Sequence, residues 1–240
     1  MDRTAQESVD EFLDKYKQLE LATRNAYGLE IGDSPIYKLK SQHAFAKYAD
    51  AIDYCREVRN FLQHTPKVHG SYAVVPSPEM TEFLDQLLDR MRNRPRTWDI
   101  AVRREHIVSC SPDDTVRDVV ETMRARGFSY VPILKDGRVV GVFDKDSVFS
   151  WVAEHGDHEL PSATIGQIAE YTKLEGRRSE VFTFHARDEY MDEAEETFDR
   201  YKKEGKRVSV AFITEHGTVE ERILGLFTAW DLIASSSEGE

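Results

Sequence analysis

The sequence predicts an α+β chain: an N-terminal antiparallel helical bundle followed by two β-α-β-β-α repeats. Three observations predict it. Residues 223–233, ILGLFTAWDLI, echo residues 139–149, VVGVFDKDSVF. Each stretch runs apolar residues, a Gly, an apolar pair and a short polar step, which is the pattern of a buried strand entering the first turn of a helix. Residues before about 95 show only helical periodicity. Pro95 and the basic run 92–96 separate the two parts, giving expected domains of 1–95 and 96–236.

The first part opens with Val9, Phe12, Leu13, Tyr16, Leu19, Leu21 and Tyr27 at helical spacing. Ser8 with Glu11 three residues on has the form of a capping box, and Gly28 is placed to end the helix. A loop with Gly32, Asp33 and Pro35 leads to a second long helix over 41–64, through Phe45, Tyr48, Ile52, Cys55, Val58, Phe61 and Leu62. Pro66 biases Thr65 out of the helical region and stops this helix near His64. A third helix runs over 79–92 on Met80, Phe83, Leu84, Leu87, Leu88 and Met91, with Pro76 and Pro78 at its start.

The second part repeats itself, with copies at about 97–155 and 162–236. TWDIA (97–101) is echoed by IGQIA (165–169), and IVSCSPDDTVRDVVETM (107–123) by VFTFHARDEYMDEAEETF (181–198). Each of the longer pair reads as a short strand, a turn and an amphipathic helix. Strands follow at 130–134 and 208–213, then turns at Lys135-Asp136-Gly137 and Glu215-His216-Gly217, then the opening stretch. The tail SSSEGE has a disordered composition.

Composition bounds the function. Hydrophobic residues make up 40% and charged residues 32% of the 240, a globular class. No apolar run approaches the roughly 20 residues of a membrane helix, so no membrane partner is expected. The polar, acidic N-terminus is not a secretory signal. The only cysteines are Cys55 and Cys110, which fits a cytoplasmic location. Net charge is -12; residues 1–95 hold 13 Lys+Arg against 15 Asp+Glu, so -10 falls to residues 96–240 (19 against 29). That balance argues against non-specific DNA binding and leaves room for RNA at the near-neutral first part. The eight His show no metal-ligand spacing; His155 and His158 read as a solvated loop, and Arg177-Arg178 as a solvated linker.

At the end of the second long helix stands Arg59-Asn60-Phe61-Leu62-Gln63-His64. This run resembles the R-x4-6-H motif of HEPN domains, small helical bundles that include many metal-independent ribonucleases. The resemblance covers roughly residues 5–93. It implies that Arg59 and His64 form an active pair, with Asn60 as the polar residue after the Arg, completed across a homodimer interface. The chemistry suits RNA cleavage through its own 2′-OH: a histidine moves protons near neutral pH and a guanidinium binds phosphate oxygens. Positions five apart on a helix lie about 140° off one face, so the pair converges only at a helix end or across a dimer. The motif also fits Arg178 and His185, with six residues between them, so the place on a bundle helix, and not the string, carries the resemblance. A plain helix-end role for both residues, or a fold used only to dimerise, stays open.

The repeats resemble the CBS domain, and two in tandem resemble a CBS pair (Bateman module). The residues carrying this are SPDDTVRDVVETM (111–123), GFSYVPI (127–133), Asp136-Gly137 and both G-x-F stretches. The second copy has Ala211 or a neighbour in place of Pro132. CBS pairs commonly bind adenine nucleotides (AMP, ADP or ATP), with the Thr and Asp of a T-x-x-D step on phosphate and ribose hydroxyls. Thr228 and Asp231 match that step. The adenine is then expected against apolar strand residues near Val108 or Phe182. A hydroxyl at a helix start suits a phosphate, and a carboxylate suits vicinal hydroxyls; equally, T-x-x-D is a self-contained helix cap. The first copy has Asp144 and Ser147 at these places, so one competent cleft is expected. The resemblances together imply a ligand-sensing regulator whose CBS pair modulates a HEPN-like domain. The alternatives are a nucleotide-gated ribonuclease and a non-catalytic dimerisation module.

Overall fold

The structure, a computed structural model, describes residues 4–67, 69–156 and 162–237. It divides into two compact units, Met1–Arg94 and Pro95–Glu240.

The first unit is helical: α1 (Ala5–Ala26), α2 (Pro35–Ser41), α3 (His43–Ala46), α4 (Ala49–His64) and α5 (Pro78–Arg92). One core joins them, built on Val9, Phe12, Tyr16 and Leu19 of α1, Ile36 and Leu39 of α2, Ile52, Cys55 and Leu62 of α4, and Leu84, Leu87, Leu88 and Met91 of α5. Two expectations change. The cap of α1 is Thr4 and not Ser8: its hydroxyl accepts from Glu7 N, and Glu7 returns a bond to Thr4 N (2.8 Å). Glu7 thus completes the capping box one turn earlier than the Ser8–Glu11 pair. The second long helix is broken. Ser34 and Pro35 start α2 in the expected loop, and Gln42 adopts extended backbone between α2 and α3. The third helix begins at Pro78, which suits the first helical position because its missing N–H has no partner there anyway.

The second unit holds α6 (Thr97–Ile100), β1 (Val102–Arg103), α7 (Val116–Arg126), β2 (Tyr130–Lys135), β3 (Arg138–Asp144) and α8 (Lys145–His155). It continues with β4 (Glu180–Ala186), α9 (Met191–Lys203), β5 (Arg207–Thr214), β6 (Gly225–Phe227) and α10 (Ala229–Ser237). One sheet has the order β1-β6-β5-β4 and the other pairs β2 with β3. Strands β4 and β5 are parallel and α9 is their crossover. Strands β2 and β3 close an antiparallel hairpin in which Asp136 and Gly137 both have positive φ (54° and 80°), the requirement of a tight hairpin turn.

The strand expected at the start of the first copy is reduced to one parallel bridge, Cys110 to Ile133. Cys110 N donates to Pro132 O (3.0 Å) and Leu134 N donates to Cys110 O (2.8 Å). Pro112, two residues on, has no N–H with which to extend a ladder. The glycines of the two echoed stretches are close-approach positions. A Cβ on Gly141 would lie 2.7 Å from Thr172 O, and one on Gly225 would lie 3.0 Å from Val102 O. Three residues of the tail expected to be disordered are helical, since α10 continues through Ser237; Glu238–Glu240 lie outside the described residues, as does His158.

Candidate functional site

A cleft of about 590 Å³ opens in the second unit. Its apolar wall comes from Ile107 and Val108, from Pro132 of β2, from Val208 and Val210 of β5, and from Leu226 of β6. Phe128 and Trp230 add aromatic rings that are 44% and 79% exposed. The polar part is Asp144 at the end of β3, Lys145 and Asp146 in the first turn of α8, Glu180 of β4, Arg207 and Ser209 of β5, and the start of α10 with Thr228 and Asp231.

Thr228 and Asp231 form the cap of α10. Asp231 Oδ2 accepts from Thr228 N (2.7 Å) and from Thr228 Oγ1 (2.8 Å), while Asp231 N and Leu232 N donate to Thr228 O (3.1 and 3.3 Å). These bonds use one carboxylate oxygen of Asp231. The other oxygen suits a ribose hydroxyl pair, and the leading N–H groups of α10 face an end of positive helix potential.

The first copy builds the same cap with its chemistry inverted. Asp144 stands at the cap and its Oδ1 accepts from Ser147 N and lies 2.8 Å from Ser147 Oγ; the hydroxyl is also 3.0 Å from Tyr171 O. Asp144 is buried and its other oxygen pairs with Arg177 Nη1. Arg177 also donates to Val142 O (2.9 Å) and lies 4.9 Å over the Phe182 ring. Arg177 is therefore not the solvated linker residue expected: its side chain is 13% exposed.

Strand pairing assembles a second polar group at the cleft. Glu180 and Arg207 are register partners across β4 and β5, and their side chains meet at 2.5 Å. Tyr130 of β2 donates to Glu180 Oε1 (2.6 Å), and Arg207 donates to the Tyr130 hydroxyl (2.9 Å). Burial pushes the Glu180 carboxyl up, but the bonds from Tyr130 and Arg207 and the charges of Arg207 and Arg177 outweigh it and hold it below its ordinary value. Burial, reinforced by the bond to Glu180, raises the Tyr130 hydroxyl. Ser209 Oγ, in the same wall, is buried near the Tyr130 hydroxyl and acts against that rise.

Of the residues singled out in the sequence, Val108, Thr228 and Asp231 share this cleft. Phe182 does not. It is 7% exposed and packs in the core between Tyr130 and Phe212, at 6.2 and 6.4 Å between ring centroids, with Arg177 covering its face. The Tyr130–Glu180–Arg207 group escaped the sequence reading because it depends on a parallel register that local pattern does not encode. The Tyr at the head of the YVPI strand was its one visible member.

In the first unit, Arg59 donates to Asn60 Oδ1 (3.0 Å), pairs with Glu20 (3.5 Å) and lies 5.4 Å over the Tyr16 ring. Tyr16 is buried, which raises its hydroxyl, and Glu20 adds to the rise. His64 is the last residue of α4 and is exposed. Cys55 and Cys110 are buried, and burial pushes their thiols up to about 11 and about 12.

Residues 99–154 match the family model of the CBS domain. That match spans most of the first copy. No curated protein matches the sequence. Among solved structures, the chain is similar to a CBS-domain containing protein from Agrobacterium tumefaciens, at 15% identity and TM-score 0.41, over 59% of this chain and 98% of that one. It is also similar to CBSX2 in complex with AMP, at 11% identity and TM-score 0.43, over 60% and 97%. A third is CbpB in complex with c-di-AMP, at 11% identity and TM-score 0.48, over 64% and 93%.

Proposed function

We propose that this chain is a ligand-sensing regulator. An adenine nucleotide binds the second unit, read as a CBS pair over about 97–236, and modulates the helical first unit. The observation that carries this reading is the 590 Å³ cleft in which Val108, Thr228 and Asp231 share one wall system. The base lies against Val108 and its apolar neighbours, the ribose hydroxyls bond Asp231, and the phosphate meets the start of α10. The apolar wall of Ile107, Val108, Val210 and Leu226 and the exposed Trp230 beside the cap support that placement. Modulation follows if the nucleotide prefers one of two arrangements of the chain.

Thermal unfolding with AMP, ADP and ATP tests it. Ligand at about 100 times Kd stabilises by about 2.7 kcal/mol, and Asp231→Ala should abolish the shift. Absence of any shift at millimolar nucleotide sinks the reading.

A HEPN-type ribonuclease, working without metal through Arg59, Asn60 and His64 in a homodimer, is the second reading. In its favour, α4 stops at His64 and leaves the imidazole exposed beside a helix end. Against it, Arg59 is already engaged by Glu20 and Asn60. Metal-free cleavage of mixed RNA that disappears in His64→Ala would establish it; an inert chain leaves the helical unit as a docking or dimerisation module.

A further inference from the structure

We infer that the cleft accepts a nucleoside or nucleoside monophosphate and rejects di- and triphosphates. This rests on the nucleotide reading above and goes beyond it by naming the ligand class. The lining carries the carboxylates Asp144, Asp146, Glu180 and Asp231 against the cations Lys145 and Arg207, beside one imidazole, His106.

The arginines are committed. Arg207 is held by Glu180 and Tyr130, and Arg177 behind the wall is held by Asp144, Glu180 and Val142 O. Lys145 is exposed in the first turn of α8, where the nearby charge of Asp146 offsets its own without an ion pair between them. One anion can be met by the start of α10, where helix potential is favourable, but Asp231 already occupies part of that field. A second and third phosphate would find acidic lining, inside a part of the chain whose net charge is -10 (19 Lys+Arg against 29 Asp+Glu over residues 96–240). The neutral end of the ligand is served better. The walls are apolar, and the base and ribose meet Ile107, Val108, Val210 and Leu226 without any added charge.

Titration calorimetry of the full chain with adenosine, AMP, ADP and ATP, without divalent metal, tests the inference. Adenosine and AMP should bind with similar affinity, and ATP at least about tenfold more weakly at about 0.1 M salt; that gap should narrow at high salt. Asp146→Lys, an exchange at an exposed position, should narrow it too. ATP or ADP binding as tightly as AMP overturns the inference while leaving the nucleotide reading intact. A gap that neither salt nor Asp146→Lys changes also overturns it. Failure of all four ligands to bind removes the nucleotide reading, and the inference falls with it.

Discussion

Replacing Asp144 with alanine removes two interactions at once. The carboxylate caps α8 through Ser147 N and Oγ, and it neutralises Arg177. The two side chains are 2% and 13% exposed, so this is a buried pair, and losing Asp144 leaves the buried Arg177 charge only the longer contact to Glu180 at 3.8 Å. Such a loss costs about 3–5 kcal/mol, against about 1 kcal/mol for an ordinary cap. Asp144→Ala should therefore cost several times as much as Asp231→Ala, although both residues sit in equivalent helix starts. The sequence supplies the assay. Trp98, Trp151 and Trp230 all lie in the second unit, so tryptophan emission, excited selectively over tyrosine, reports that unit alone in urea. Arg177→Met should cost a similar amount, and the double variant should cost at least about 1.5 kcal/mol less than the sum. A loss below about 1 kcal/mol for Asp144→Ala, or strict additivity, would refute the reasoning.

Two further outcomes are expected. Gly141→Ala should destabilise the second unit by about 1–3 kcal/mol, because its Cβ meets Thr172 O, which is itself held by Val142 N at 2.9 Å; urea unfolding with no change in midpoint would contradict the close approach. At the loop after β5, Glu221 bonds His216 N (2.8 Å) and Nδ1 (2.6 Å). Those bonds, the backbone one foremost, lower Glu221 to about 2, and its hydrogen bond and charge raise His216 above 6.5. The histidine contribution is full below pH 6.5 and fades as pH rises through its folded pKa; the carboxylate contribution is full above 4.5 and fades as pH falls toward 2. NMR titration should place His216 above 6.5 in the wild type and return it toward that value in Glu221→Gln; an unchanged value in the variant would break the assignment.

What could be read from the sequence was what local pattern encodes. Val9, Phe12, Tyr16 and Leu19 fall on one helix stripe and are all buried, and Asp136-Gly137 forms the turn its composition predicts. The T-x-x-D step marks the cap at α10, and Val108 lies in the same cleft. What was hidden depends on distant chain. Arg177 looked like a linker residue because its partners Asp144 and Val142 are more than thirty positions away. Phe182 was expected near the adenine as an apolar strand residue of the second copy, yet Arg177 and Tyr130 cover it. Glu180 and Arg207 meet only through a parallel register.

The most direct test of the central claim is calorimetry of AMP against the wild type and Val108→Trp, in which an indole fills the apolar side of the cleft. The account predicts saturable binding of about one AMP per chain in the wild type, as one competent cleft requires, and its loss in a folded Val108→Trp. No binding at millimolar AMP, or undiminished binding in the variant, would contradict it.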